Sequence, residues 1–157
     1  MQLPKNSSYQ NNRSHLQIRT AKSSEYQVVS KLLENAKLLT VDLDPELQHF
    51  FVVTDNNKVV GTGGLEIFDH NALLRSLVVS PAARGQQLGK KLTDTLCQYA
   101  QKQQVQNLYL LTETAEVLFT ARGFERTLRD AAPDTIKQTQ QFSGLCPDSA
   151  TLMVKRL

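Results

Sequence analysis

An α+β domain is predicted by three features of the sequence. Phe50 to Thr54 is a run of aromatic and β-branched residues that meets Asp55-Asn56-Asn57 and then a second strand-like run, Lys58 to Phe68, so a hairpin is expected. Leu88 to Gln103 repeats its apolar residues at helical spacing directly after a strand-like segment ending at Val79. The whole order reads β-α-β-β-β-α-β-α, a further helical stretch, then β, with no internal repeat.

Each element has a local reason. Residues 1–14 (MQLPKNSSYQNNRS) are polar and turn-rich and read as a flexible N-terminal arm, which leaves 15–157 as one domain. His15 to Arg19 alternates as a short strand. Ser24-x-x-Gln27 has the form of a capping box, and Tyr26, Val29, Leu33 and Ala36 follow along one helical face. Asp42-Leu43-Asp44-Pro45 marks a break. Gly61, Gly63 and Gly64 within the second hairpin strand point to a bulge or a close backbone approach. Asp69-His70-Asn71 turns into a third strand, Leu73 to Val79. The adjacent Val78 and Val79 there place it at the centre of a sheet covered on both faces.

Beyond it, Leu88, Leu92, Leu96 and Tyr99 share one face of the clearest helix, and Cys97 within it reads as packing. Asn107 to Leu111 is a short buried strand. Thr112 or Thr114 would cap the next helix, and Gly123 would end it. Pro133 opens a helix over Asp134 to Gln141, and Ala150 to Lys155 is the last strand.

Composition narrows the function. A chain of 157 residues with 40% hydrophobic and 21% charged residues is long enough to bury a core. A formal charge of +3, scattered and not gathered in a tail, argues against nucleic acid as the partner. The dispersed Cys97 and Cys146, with His15, His49 and His70, show no metal-ligand spacing, so no metal is expected. No stretch reaches the roughly 20 apolar residues of a membrane span, and the polar N-terminus has no secretory core, so a cytoplasmic protein with reduced thiols is expected.

The segment Val79-Ser-Pro-Ala-Ala-Arg-Gly-Gln-Gln-Leu-Gly-Lys-Lys-Leu92 carries the chemistry. A buried strand stops at Pro81, a loop with Gly85 turns, and a helix starts near Leu88. The first turn of such a helix presents unpaired N–H groups and the positive end of its dipole, which suits a phosphate. Gly85 tolerates positive φ, Gly89 allows close approach, and Arg84 and Lys90 add charge. Neither the nucleotide P-loop spacing nor G-x-G-x-x-G is present.

The pattern L-x-V-x-P-x-x-R-G-x-x-x-G-x-x-L, Leu77 to Leu92, resembles motif A of the GNAT superfamily, [Q/R]-x-x-G-x-[G/A]. Arg84 stands in its first position, Gly89 in its last, and Gln87 where glycine is usual. Ala115-x-x-x-Phe119-x-x-x-Gly123-Phe124 resembles the family's A-x-x-x-Y-x-x-x-G-F signature. The resemblance implies an α/β/α fold, with a mixed, mostly antiparallel central sheet, a splayed strand pair and flanking helices. It implies acetyl-CoA as co-substrate, its pantetheine paired with the backbone of Leu77, Val78 and Val79. Its pyrophosphate would lie on the loop of Arg84, Gly85, Gln86, Gln87, Leu88, Gly89 and Lys90. A small-molecule amine would be the acceptor, and a homodimer is compatible. A peptide or protein N-acetyltransferase and a degenerate CoA-binding module are the alternatives. A narrower similarity, carried by Gly64-Leu-Glu66, Leu74 to Val79, Leu110-Leu-Thr112 and Leu145-Cys-Pro147, is to N-acetyltransferases associated with arsenic-resistance operons, presumed to act on amino-acid-like compounds.

Amine attack on a thioester needs a base, and Glu66 and Glu113 are the candidates; each is otherwise a surface carboxylate. Phe119 occupies the position of the family's tyrosine acid and has no proton to give, so either the thiolate departs without that help or another group serves, such as Tyr109 or Cys146. Cys146 otherwise reads as a structural thiol. Arg75 on a central strand would either clamp a substrate carboxylate or form an internal ion pair, with Glu66 as the suggested partner.

Overall fold

The computed structural model describes residues 15–157. The arm expected over residues 1–14 lies outside the described residues.

Seven strands form one sheet in the order β1-β2-β3-β4-β5-β7-β6. They are β1 (Leu16–Thr20), β2 (Phe50–Asp55), β3 (Lys58–Phe68), β4 (Asn71–Val79), β5 (Asn107–Thr112), β6 (Glu125–Arg126) and β7 (Thr151–Arg156). All neighbours are antiparallel except β4 and β5. The β2–β3 turn places Asn56 and Asn57 at φ 52° and 68°, the left-handed pair that matches the twist of a hairpin. The two-residue β6 was not foreseen, being too short to carry an alternating pattern.

The helices are α1 (Tyr26–Asn35), α2 (Leu88–Lys102), α3 (Glu116–Ala121) and α4 (Asp134–Lys137). The box ahead of α1 is two residues earlier than expected: Glu25, not Gln27, accepts the Lys22 amide at 2.8 Å while its carboxylate also holds Arg19. The α4 stretch is shorter than expected, and Gln141–Leu145 forms a separate π-type turn.

Both faces of the sheet are covered. On one, Leu88, Leu92, Leu96 and Ala100 of α2 and Phe119 of α3 pack on Leu65, Leu74, Leu108 and Leu110. On the other, Val29 and Leu33 of α1 and Leu43 and Leu47 beyond it cover Phe50 and Val52, while Ile136 of α4 covers Leu73 and Leu152. Cys97 is 7% exposed in the first of these cores, and burial pushes its thiol up from the ordinary range.

Two irregularities in β4 shape the centre of the molecule. Thr62 faces Val78 and Gly64 faces Arg75, so Gly63 alone opposes Ser76 and Leu77. This bulge holds Ser76 at φ 58° and turns the strand. It also brings Leu77 so close that a Cβ at Gly63 would lie 3.0 Å from it and 2.9 Å from Leu96. Further along, β4 meets β5 only through Asn71–Leu73 against Asn107–Tyr109. Past that point the two strands part, and among the described residues the edge of β4 from Arg75 to Val79 has no strand partner on the β5 side.

Candidate active site

The parting of β4 and β5 opens a cavity of about 910 Å³. One end is walled by Val79, Arg84 and Gly89 with Leu118 and Phe119 of α3; the other by the segment after α1, Lys37 to Leu39, and by Gln141 and Leu145 to Pro147. Alternation along β4 explains the two ends. Leu74 faces the α2 core and Arg75 the α1 side, so the cavity passes through the sheet from one layer to the other.

At the first end, Gln87 precedes α2 at φ 58° and Gly85 stands at φ 93°. The first hydrogen bond of the helix runs from the Lys91 N–H to the Gln87 carbonyl, 3.1 Å. Among the described residues the amides of Gln87, Leu88, Gly89 and Lys90 donate to no protein acceptor. They form the positive end of a fifteen-residue helix. Gln86, Gln87 and Lys90 are exposed, and Arg84 Nε donates to the Val79 carbonyl at 3.3 Å, tying the loop to the strand end. A chain of amides at a helix start beside an unpaired strand edge fits a diphosphate followed by an extended amide-bearing arm.

At the second end Arg75, 6% exposed, uses four of its five N–H groups on protein acceptors. Its Nη1 and Nη2 each donate to Asp42 at 2.7 Å, Nη1 also donates to Glu66 at 3.1 Å, and Nε donates to Ser76 Oγ at 3.1 Å. Its guanidinium lies 5.9 Å from the Phe50 ring centroid. Gln141 Nε2 donates to both Asp42 oxygens at 3.3 and 3.1 Å, and Cys146 Sγ donates to Gln141 Oε1 at 3.3 Å. Burial acts to raise the Asp42 carboxyl, but hydrogen bonds from Arg75 and Gln141 outweigh it and hold the group below the usual carboxylate range.

This geometry corrects several sequence expectations. The Arg75 fork is filled by Asp42, so the internal ion pair is what the fold contains, with Asp42 as bidentate partner and Glu66 as a secondary one. Glu66 is absent from the cavity wall, and one of its carboxylate oxygens accepts from Arg75 while its side chain stays 32% exposed. Glu113 does line the cavity and is exposed in the turn before α3, where Thr112 Oγ1 accepts the Ala115 amide at 3.0 Å as the expected cap. Tyr109 packs beside Leu73 and Ile136 and is not part of the wall, whereas Cys146 is. Burial pushes the Cys146 thiol up, so at neutral pH it retains its proton. Asp42, Gln141 and Lys37 were not foreseen: Asp42 read as a break, and nothing local marks a residue that meets Arg75 across 33 positions.

Among the described residues no group of three or more His, Cys, Asp or Glu could hold a metal, and no helix is long and apolar enough to cross a membrane.

The sequence matches the family of the acetyltransferase (GNAT) domain over residues 46–126. It is 30% identical over 117 residues to an amino-acid acetyltransferase of Mycobacterium tuberculosis, covering 68% of this chain and 67% of that protein. Among solved structures, an N-acetylglutamate synthase from Neisseria gonorrhoeae complexed with coenzyme A and N-acetyl-glutamate superposes with a TM-score of 0.77 at 22% identity, over 90% of this chain and 35% of that one. This chain thus spans about a third of the synthase. Rv2747 from Mycobacterium tuberculosis, in complex with CoA, gives 0.76 at 23% identity over 90% and 99% of the two chains. These relatives carry no support for the arsenic-resistance group. The family match spans just over half of the 157 residues and includes the strand, loop and helix that wall the cavity. The chain belongs to the GNAT family of acetyl-CoA-dependent N-acetyltransferases.

Proposed function

We propose that the acceptor is the amine of a small amino-acid-like molecule, bound at the Lys37–Gln141 end of the cavity while acetyl-CoA enters from the Gly85–Lys90 end. The observation that carries this is the unpaired β4 edge lying between a run of free helix-start amides and a lined cavity. The named relatives acting on amino acids support the substrate class.

Bound acetyl-CoA supplies an activated acetyl thioester. The amides of Gln87 to Lys90 hold its diphosphate, with the exposed Arg84 and Lys90 beside them, and the backbone of Leu77, Val78 and Val79 pairs with its arm. The acceptor nitrogen must lose a proton to be nucleophilic, and Glu113 at the rim takes it through water. The nitrogen lone pair forms the C–N bond to the acetyl carbon, and a β4 amide near Val78 stabilises the negative oxygen. As the C–S bond breaks, the thiolate needs a proton. Phe119 has none, and Cys146, protonated and in the wall, is the available donor. Lys37 is the cation left for the acceptor's α-carboxylate, because Arg75 is occupied.

The test is thiol release from acetyl-CoA across amino acids, polyamines, short peptides and arsenical and phosphinate amino-acid analogues. Turnover confined to the amino acids and their analogues is the expected result. Turnover confined to peptides, or coenzyme A binding with no turnover at all, would overturn the assignment.

A further inference from the structure

The acceptor end contains a carboxylate already seated where a substrate carboxylate would go. Asp42 is 5% exposed at its side chain and Arg75 is 4% exposed, and the two parallel 2.7 Å bonds are the bidentate geometry that guanidinium offers to any carboxylate. Asp42 is not a passing surface group. The neighbouring Leu43 and Leu47 are buried against Phe50, which anchors the segment, and Gln141 reaches across from the opposite wall to hold both oxygens. Four of the five Arg75 N–H groups donate to protein acceptors, so the fork has no pair of N–H groups left to grip a second carboxylate.

The rest of that end is poor in cations. Leu38, Leu39, Leu145, Pro147 and Ala150 line it, Lys37 is the other basic group there among the described residues, and Glu113 adds a negative charge at the rim. One carboxylate can be matched by Lys37. A second one would meet apolar walls and Glu113.

We infer that Asp42 is a specificity-determining residue: a resident carboxylate that fills the Arg75 fork and selects amino-acid acceptors with uncharged side chains over dicarboxylic ones. This rests on the small amino-acid-like acceptor proposed above. The selection works by exclusion, since an acidic side chain would have to lose its water without gaining a cation.

The isosteric pairs glutamine/glutamate and asparagine/aspartate test it, because each pair differs in charge and hardly in size. For the unaltered enzyme kcat/KM is expected to favour the amide member by about tenfold or more, the scale on which a mismatched polar group is rejected. Asp42→Asn, which keeps the shape and frees part of the fork, should move that ratio toward the acid by about tenfold, with coenzyme A affinity unchanged. Equal or better turnover of the acids by the unaltered enzyme overturns the inference whether or not the variant folds. So does an unchanged ratio in an Asp42→Asn protein that melts cooperatively. Loss of turnover on every amino acid, with coenzyme A still bound, would instead remove the small amino-acid acceptor and this inference with it.

Discussion

Gly64 lies flat against the Phe50 ring. A Cβ built on it would come within 2.6 Å of the nearest ring carbons, inside any van der Waals contact. Phe50 in turn is the ring beside the Arg75 guanidinium and is 3% exposed, so it has nowhere to go. Gly64→Ala is therefore expected to destabilise the fold by about 1–3 kcal/mol, the cost of overpacking a filled core. Its effect should extend to the acceptor end, raising the acceptor KM more than that of acetyl-CoA. Urea midpoints and the two Michaelis constants check both parts; an unchanged midpoint would mean that the ring swings aside.

The Arg75–Asp42 pair makes stability depend on acid. The folded Asp42 carboxyl ionises below its usual range, while in the unfolded chain it returns to about 3.9. Its contribution is complete above that unfolded value and disappears as pH falls through the folded one. Replacing Arg75 by Met leaves the carboxylate buried and unmatched, at a cost of about 3–5 kcal/mol at neutral pH. With the cation gone, burial is opposed mainly by the Gln141 hydrogen bonds and pushes the Asp42 carboxyl upward relative to the unaltered protein, so the variant should gain stability relative to the unaltered protein as pH drops from 7 toward 4. Parallel acid dependence in the two proteins would show that the pair does not govern it.

A second titrating pair lies at the start of β2. Tyr99 Oη and His49 Nδ1 are 2.6 Å apart, and burial, the larger influence, lowers the histidine while Asp44 partly opposes it. Burial also raises Tyr99, so the phenol keeps its proton while it shares a hydrogen bond with the imidazole nitrogen. The folded state thus binds the His49 proton less readily than the unfolded chain does. Stability is full above the unfolded value of about 6.5 and falls as pH decreases from there. His49 sits at φ 62°, which asparagine tolerates. His49→Asn is expected to flatten the slope of stability between pH 7.5 and 5.5, as read by thermal melts in matched buffers.

The parts of this molecule legible in its sequence are those fixed by neighbours along the chain. The hairpin at Asn56-Asn57, the apolar stripe Leu88-Leu92-Leu96 and the Gly85 loop each declare themselves within a dozen residues, because turn chemistry and helical period are local. The splayed sheet became legible through resemblance to a family. What stayed hidden depends on distance: Asp42 meets Arg75 across 33 positions and Gln141 meets Asp42 across 99, and neither carries a mark of its partner. Glu66 shows the converse. Its strand neighbourhood was readable, but that its carboxylate meets Arg75 follows from the register that pairs Glu66 with Leu73 and Gly64 with Arg75 on the next strand, which no local pattern announces.

Phe119 sits edge-on to Phe124 with centroids 5.6 Å apart, lining the cavity although only 5% exposed. Phe119→Tyr adds a hydroxyl at the position where the resembled family signature has tyrosine. The expected result is a higher kcat, by up to about 10²-fold where thiolate departure limits the rate, with coenzyme A affinity unchanged. A large loss of that affinity would mean that the ring contacts the cofactor directly and that the residue has been misplaced in the mechanism.

The loop before α2 offers the most direct test of the cofactor site. Gly85 adopts φ 93°, and a Cβ added there would meet no atom within 4 Å, so the demand for glycine is conformational and not steric. Gln87 adopts φ 58° with a full side chain, at the position where the family's motif has glycine. The two substitutions should therefore act in opposite directions. Gly85→Ala forces a residue with a Cβ into left-handed backbone at about 1–2 kcal/mol, which the free loop escapes by relaxing and the bound loop does not. The strain then appears as weaker coenzyme A binding, about tenfold, with little change in melting temperature. Gln87→Gly removes a smaller penalty and should bind at least as tightly as the unaltered chain, offset only by the entropy of a more mobile loop. Calorimetry on both variants separates these effects. If Gly85→Ala binds coenzyme A as well as the parent does, the amides ahead of Leu88 are not what holds the diphosphate.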